Sequence, residues 1–234
     1  DYGTLGLSPE DLATHIAYDI GAAAITRRLA ARFGAPAVLT RFSRLLIDVN
    51  RGADDPTLVM RLSDSRIIPG NARIDAAEID RRRRLYWRPY RDAIAAQISA
   101  MLAVGPPPAA VGIHTFTPVW KGAPRPWQIG ILWDGDPRFA SPLIAALAAQ
   151  GLDVGDNEPY AGALPGDTLD AEITRRGLAG LLIEIRQDLV AEPAQALHWA
   201  DCLADVIKPI LDRLNVHQVD LPLAAAARGA CDRS

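Results

Sequence analysis

The chain has 234 residues, 49% of them hydrophobic and 23% charged, with a formal net charge of -3. That is enough for one large domain with a developed core, and no excess of either sign recruits nucleic acid or a membrane surface. No apolar run reaches the roughly 18 residues of a membrane span, the first residues lack the basic-then-apolar layout of a signal peptide, and the two cysteines, Cys202 and Cys231, encode neither a disulfide framework nor a thiolate zinc site, so a cytoplasmic protein is expected.

Taken in chain order, Ser8-Pro9-Glu10-Asp11 reads as an N-cap, a proline and two first-turn acids, and predicts a helix running to about Arg32 before Gly34-Ala35-Pro36 stops it. The short apolar runs 38–42 and 45–49 are predicted as buried strands, followed by a polar loop over 51–56 and a tight turn at Pro69-Gly70-Asn71. Residues 76–102 have a helical pattern. Within them Arg81 to Arg84 is balanced by Asp75, Glu78 and Asp80, which reads as a solvated helix face rather than a nucleic-acid site. Gly105 and three prolines then break the pattern ahead of a strand over 110–116. A strand over 128–133, a helix over 137–150, a strand over 178–185 and a closing helix over 193–214 complete the elements, leaving a frayed Ala-rich tail over 221–234. Strands alternating with helices imply an α/β three-layer sandwich with a mixed, mainly parallel sheet, formed as a single domain over 1–234. Ligand sites in such sheets lie beyond the carboxyl ends of the strands.

Three predicted strands end in polar groups: Asp48 with Asn50 and Arg51, then His114, then Glu184 with Arg186. A guanidinium grips both oxygens of a carboxylate through its planar fork, and a neighbouring amide fixes which way the ligand lies, so Asn50-Arg51 is suited to an acidic substrate. His114 is a candidate zinc ligand and Glu184 a candidate base for metal-bound water, the parts of metal-assisted hydrolysis. One histidine is not a zinc site. The further ligands in view are His15 and Asp19, spaced i, i+4 on the first predicted helix. Each residue also has a plain structural reading: a surface arginine, a satisfied strand histidine, a Glu184–Arg186 pair, a His15–Asp19 pair along a helix. His198 and His217 lie in or after the closing helix, far from the strand tips.

Seven ordered segments carry a resemblance: His15-Ile-Ala-Tyr-Asp19-Ile-Gly-Ala, Ser43-Arg-Leu-Leu-Ile-Asp-Val-Asn-Arg51, Ile68-Pro-Gly-Asn71, Ile113-His-Thr-Phe-Thr-Pro118, Arg125-Pro-Trp127, Asn157-Glu-Pro-Tyr160 and Ile183-Glu-Ile-Arg-Gln-Asp-Leu189. In these the chain resembles the N-formylglutamate amidohydrolase family over nearly its whole length, and through it the fold of zinc carboxypeptidases and aspartoacylases. The resemblance implies a metal-dependent hydrolase, with Zn2+ as cofactor, that cleaves N-formyl-L-glutamate or a close N-acyl amino acid to formate and the free acid. It makes Asn50 and Arg51 the carboxylate clamp, His114 and Asp19 metal ligands, Glu184 the general base and then acid, and Arg44, Asn71 and Arg186 pocket residues. Relatives carry a further metal ligand in an early strand ending in His and Gly, which is expected upstream of Asp1; Glu172 stands where relatives carry His. The implied partner is a small acidic N-acyl amino acid, with neither nucleic acid nor membrane, bound by a monomer or small homo-oligomer. A hydrolase for another N-acyl amino acid or peptide, and a metal-free binding protein for acidic amino acids, are the competing readings.

Overall fold

The computed structural model describes residues 2–221, so the predicted tail lies outside the described residues except at Leu221. The chain opens with a short helix α1 (Pro9–Leu12), where Ser8 caps the N-terminus by accepting from the Asp11 N–H at 3.1 Å. Turns fill 13–21 before α2 (Ala22–Phe33), so the single helix predicted as far as Arg32 is two helices. Gly21 opens α2 at φ 83°, and a Cβ there would lie 2.5 Å from the Val190 carbonyl oxygen; the backbone turns where glycine alone fits.

The strands predicted over 38–42 and 45–49 are absent. Residues 35–40 follow an irregular path and 41–51 a succession of turns and bends. Leu45, Leu46, Ile47 and Val49 are buried all the same, the first three in a cluster with Leu5, Leu7, Ile16, Leu58 and Ile68. Apolar continuity reports burial and leaves backbone conformation open. Here turn bonds satisfy the peptide groups, Leu46 N–H to Ser43 O at 3.0 Å and Arg51 N–H to Asp48 O at 3.1 Å.

A two-stranded hairpin, β1 (Leu62–Ser63) with β2 (Arg66–Ile67), and a 3-10 turn at Pro69–Asn71 lead to α3 (Ala76–Arg82). A π turn over Arg83–Trp87 joins α3 to α4 (Arg88–Val104), where the sequence pattern predicts one uninterrupted helix. Then come β3 (Ala110–Phe116), the small hairpin β4 (Val119–Trp120) and β5 (Ala123–Pro124), β6 (Ile129–Leu132), α5 (Pro137–Ala149), β7 (Val154–Asp156), α6 (Thr168–Glu172), β8 (Gly180–Arg186) and α7 (Pro193–Leu211).

The central sheet runs β3-β8-β6-β7, with β3 parallel to β8, β6 parallel to β7 and β8 antiparallel to β6. It is mixed and mainly parallel. Leu181, Ile183 and Ile185 pack on one face with Ile25 and Leu29 of α2, Phe139 and Leu143 of α5, and Leu203 and Ile207 of α7. Leu182 faces the other way, toward Ile98 of α4 and Leu169 of α6, which gives three layers. At the β3 side of the sheet a cavity of about 910 Å³ runs from Leu211 and Ile207 past Gly112 and Ile113 to His114 and Asp19. No helix among the described residues is long and apolar enough to cross a membrane.

Candidate active site

His114 and Glu184 are register partners across β3 and β8, so both side chains emerge on the same face near the carboxyl ends of a parallel pair. Gly130 is the partner of Glu184 on its other side, and the missing side chain lets the Glu158 carbonyl oxygen approach to where a Cβ would be 2.0 Å away. That approach brings the Glu158–Tyr160 segment over the strand ends. Asp19 arrives from the turns between α1 and α2, and its Oδ2 accepts from His114 Nδ1 at 2.8 Å. The turn segment after Ser43 delivers Arg44, which donates to Asp19 at 3.3 Å and to Asp48 at 2.8 Å.

Electrostatics couple these four groups. Burial pushes the Glu184 carboxyl up to about 7, Asp19 adding to the rise while the charges of His114, Arg44 and Arg125 oppose it. Its Oε2 is buried with no hydrogen-bond partner. Burial pulls the His114 imidazole down, but the hydrogen bond and charge of Asp19, helped by Glu184, overcome it and hold the group up at about 9. Burial likewise opposes ionisation of Asp19, and the His114 and Arg44 cations hold it below the usual carboxylate range.

Asn50 and Arg51 stand at the end of the same turn segment. The Asn50 N–H donates to Asp48 Oδ1 at 3.0 Å, and Arg51 Nε lies 3.8 Å from Asp48 Oδ2. The buried Asp48 therefore faces the Nε side of Arg51, and Asn50 and Arg51 are partly exposed. From behind, Trp87 Nε1 donates to the Arg51 carbonyl oxygen at 2.9 Å and Arg91 Nη2 at 3.3 Å, so the π turn and α4 hold the peptide that carries the clamp.

Not every predicted residue joins this group. Asn71 is fully buried and donates to the Leu45 and Met60 carbonyls at 2.7 and 2.8 Å while accepting from Arg82 at 2.7 Å. It holds the underside of the 44–51 segment. Arg186 lies two register positions beyond Glu184 and forks onto Asp188 at 2.8 and 3.2 Å, with Nη1 near the carbonyls of 125–127. His15 sits 3.7 Å from Asp64, and the helix predicted to align it with Asp19 does not form at 13–21. Glu172 pairs with Arg176 at 2.7 Å, His198 faces Cys202 at 3.6 Å, and His217 lies between the Pro107 and Leu211 carbonyls at 2.9 and 2.7 Å. Arg125 is the residue that strand-tip reasoning passes over. It follows a hairpin rather than ending a predicted strand, and its signal in the sequence is the Arg125-Pro126-Trp127 segment.

A catalytic zinc takes three protein ligands. His114 and Asp19 present a nitrogen and an oxygen to each other, but among the described residues no group of three His, Cys, Asp or Glu side chains gathers to hold a metal. The described residues alone do not make a complete zinc site.

The family model for N-formylglutamate amidohydrolase matches residues 2–191. Among solved structures, a gene product of Agrobacterium tumefaciens is 37% identical with a TM-score of 0.86, the match covering 92% of this chain and 85% of that one. The N-formylglutamate amidohydrolase of Ralstonia eutropha JMP134 shares the fold, with a TM-score of 0.59 at 21% identity over 87% of each chain. No curated protein matches the chain. The family match spans the turns before α2, the turn segment after Ser43, β3 and β8, which carry Asp19, Asn50-Arg51, His114 and Glu184 in turn, and the chain belongs to the N-formylglutamate amidohydrolase family.

Proposed function

We propose that the protein hydrolyses the formyl amide of N-formyl-L-glutamate, or of a close N-acyl amino acid, to formate and the free amino acid. The observation that carries this reading is a buried carboxyl, Glu184, with an unpartnered oxygen and a pKa of about 7, under the influence of the His114, Arg44 and Arg125 charges. A general base at neutral pH needs this ionisation, because a group near the working pH is both available as a base and competent as an acid.

In the reaction, Arg51 and Asn50 hold the α-carboxylate and thereby fix the amide relative to the strand ends. Glu184 takes a proton from water as the water oxygen bonds to the formyl carbon. The tetrahedral intermediate then collapses with cleavage of the carbon–nitrogen bond, and Glu184 returns the proton to the leaving amine. Arg44, held by Asp19 and Asp48, keeps a cation near Glu184 while negative charge develops on the former carbonyl oxygen. Zinc remains part of the reading through His114 and Asp19 as two of its ligands, and a cytoplasmic setting goes with it.

Formate release from N-formylglutamate, measured with and without added zinc, tests the activity and the metal separately. Release that rises with zinc supports both. Release that a chelator and added zinc leave unchanged removes the metal, and no release under any condition removes the activity.

A further inference from the structure

We propose that Arg125 binds the side-chain carboxylate of the substrate and makes the site selective for N-acyl derivatives of dicarboxylic amino acids. The inference rests on the deformylase reading for its choice of substrate. Its structural basis is a buried cation that feels the Glu184 charge but has no carboxylate in ion-pair contact among the described residues.

Arg125 is 9% exposed, yet no carboxylate lies within ion-pair distance of it among the described residues. Its side-chain hydrogen bonds run from Nη1 to neutral oxygens only: to the Thr117 carbonyl oxygen at 3.4 Å, to Thr117 Oγ1 at 3.3 Å and to the Tyr160 hydroxyl at 3.1 Å. A buried guanidinium with neutral partners alone is costly to desolvate, and an anion arriving beside it recovers that cost. The other cations near the strand ends are committed, Arg44 to Asp19 and Asp48, Arg186 to Asp188.

The surroundings are those of a receptor for one planar anion. Phe116, Trp120 and Tyr160 place their ring centroids 5.6, 5.3 and 5.0 Å from the guanidinium carbon, which fixes its plane and limits access of water. The Tyr160 hydroxyl accepts from Arg125 and so keeps its own proton to donate to a ligand oxygen. Trp120 and Tyr160 are each about two-fifths exposed, at 42% and 41%, and leave a path from solvent. Phe116 is the register partner of Arg186, two positions beyond the His114–Glu184 pair, and Arg186 Nη1 lies 3.4 Å from the Arg125 carbonyl oxygen. The aromatic-walled cation is therefore at the same strand ends as Glu184. A carboxylate clamped by Asn50-Arg51 and a second one on Arg125 would hold a dicarboxylate substrate by both of its acid groups.

The test compares kcat/KM for N-formyl-L-glutamate and the isosteric, uncharged N-formyl-L-glutamine on the same preparation, a ratio that does not depend on the fraction of protein folded. Wild-type protein prefers the dicarboxylate by on the order of 10². In Arg125→Gln the ratio falls toward one, and Arg125→Lys restores part of it. A wild-type ratio retained in Arg125→Gln overturns the assignment. Binding of glutarate by calorimetry separates this inference from the activity itself: loss of glutarate binding in Arg125→Gln supports the subsite even without turnover, and glutarate binding that is indifferent to the substitution overturns it.

Discussion

Glu184 combines two properties that rarely coincide without a purpose, full burial of one carboxyl oxygen and the lack of any partner for it. Its raised pKa gives a sign to the pH dependence. The group must be ionised to accept a proton, so kcat/KM is low where the carboxyl is protonated and rises with pH through about 7. A profile of kcat/KM against pH that is flat through that region contradicts the base role. Arg51 is tested by truncation: Arg51→Ala weakens binding of N-formylglutamate by on the order of 2 to 5 kcal/mol, as for a charge pair withdrawn from water. An equal loss for an analogue without carboxylates shows instead that Arg51 shapes the fold. Asn50, Arg51, His114 and Glu184 could be singled out as polar residues within or just after apolar runs, because a polar group interrupting such a run leaves a mark in the sequence whether or not the run is a strand. Asn71 and Arg125 stand out only through segments that carry the family resemblance, and their surroundings were not readable. The amide of Asn71 serves three buried groups that sequence spacing does not link, and the aromatic walls of Arg125 come from β3, the β4–β5 hairpin and the segment after Glu158.

Elements with a complete set of local signals formed where the sequence puts them. The strand over 110–116 coincides with β3, and the helix predicted over 137–150 begins at Pro137 behind the Asp136 cap. Where tertiary contacts override the local pattern, the reading fails. Residues 45–49 are as apolar as a strand, but Asp48 and Arg44 tie the segment into turns and Asn71 takes the Leu45 carbonyl that a strand neighbour would otherwise need. A similar tension exists at α6. Asp167 caps that helix by accepting from the Asp170 N–H at 2.8 Å, while its Oδ2 is buried without a partner and burial raises the carboxyl to about 6. A carboxyl raised on folding binds its proton more tightly in the folded state. Its contribution to stability is therefore whole below its ordinary value of 3.8 and is lost as pH rises through about 6. Asp167→Asn keeps a capping oxygen and removes the titration, so urea denaturation across that window shows a smaller fall in stability for the variant than for wild type. Identical pH dependence in the two proteins contradicts this account.

At the scale of the molecule, the site joins two differently built halves. The turn-rich cluster around Leu45 and Ile68 presents the clamp, and the sheet presents His114 and Glu184. Alternating strands and helices made the layered architecture legible, but strand order and the antiparallel β8–β6 pair depend on which edges meet in space, and sequence order does not encode that. The arrangement makes one claim central: the sheet half performs proton transfer through Glu184, and the clamp half positions the substrate for it. Formate release from N-formyl-L-glutamate by wild type and Glu184→Gln, at matched folding by circular dichroism, measures that directly. The account predicts turnover by wild type and a fall in kcat on the order of 10²–10⁴ in the variant. Equal turnover by the two proteins would contradict it.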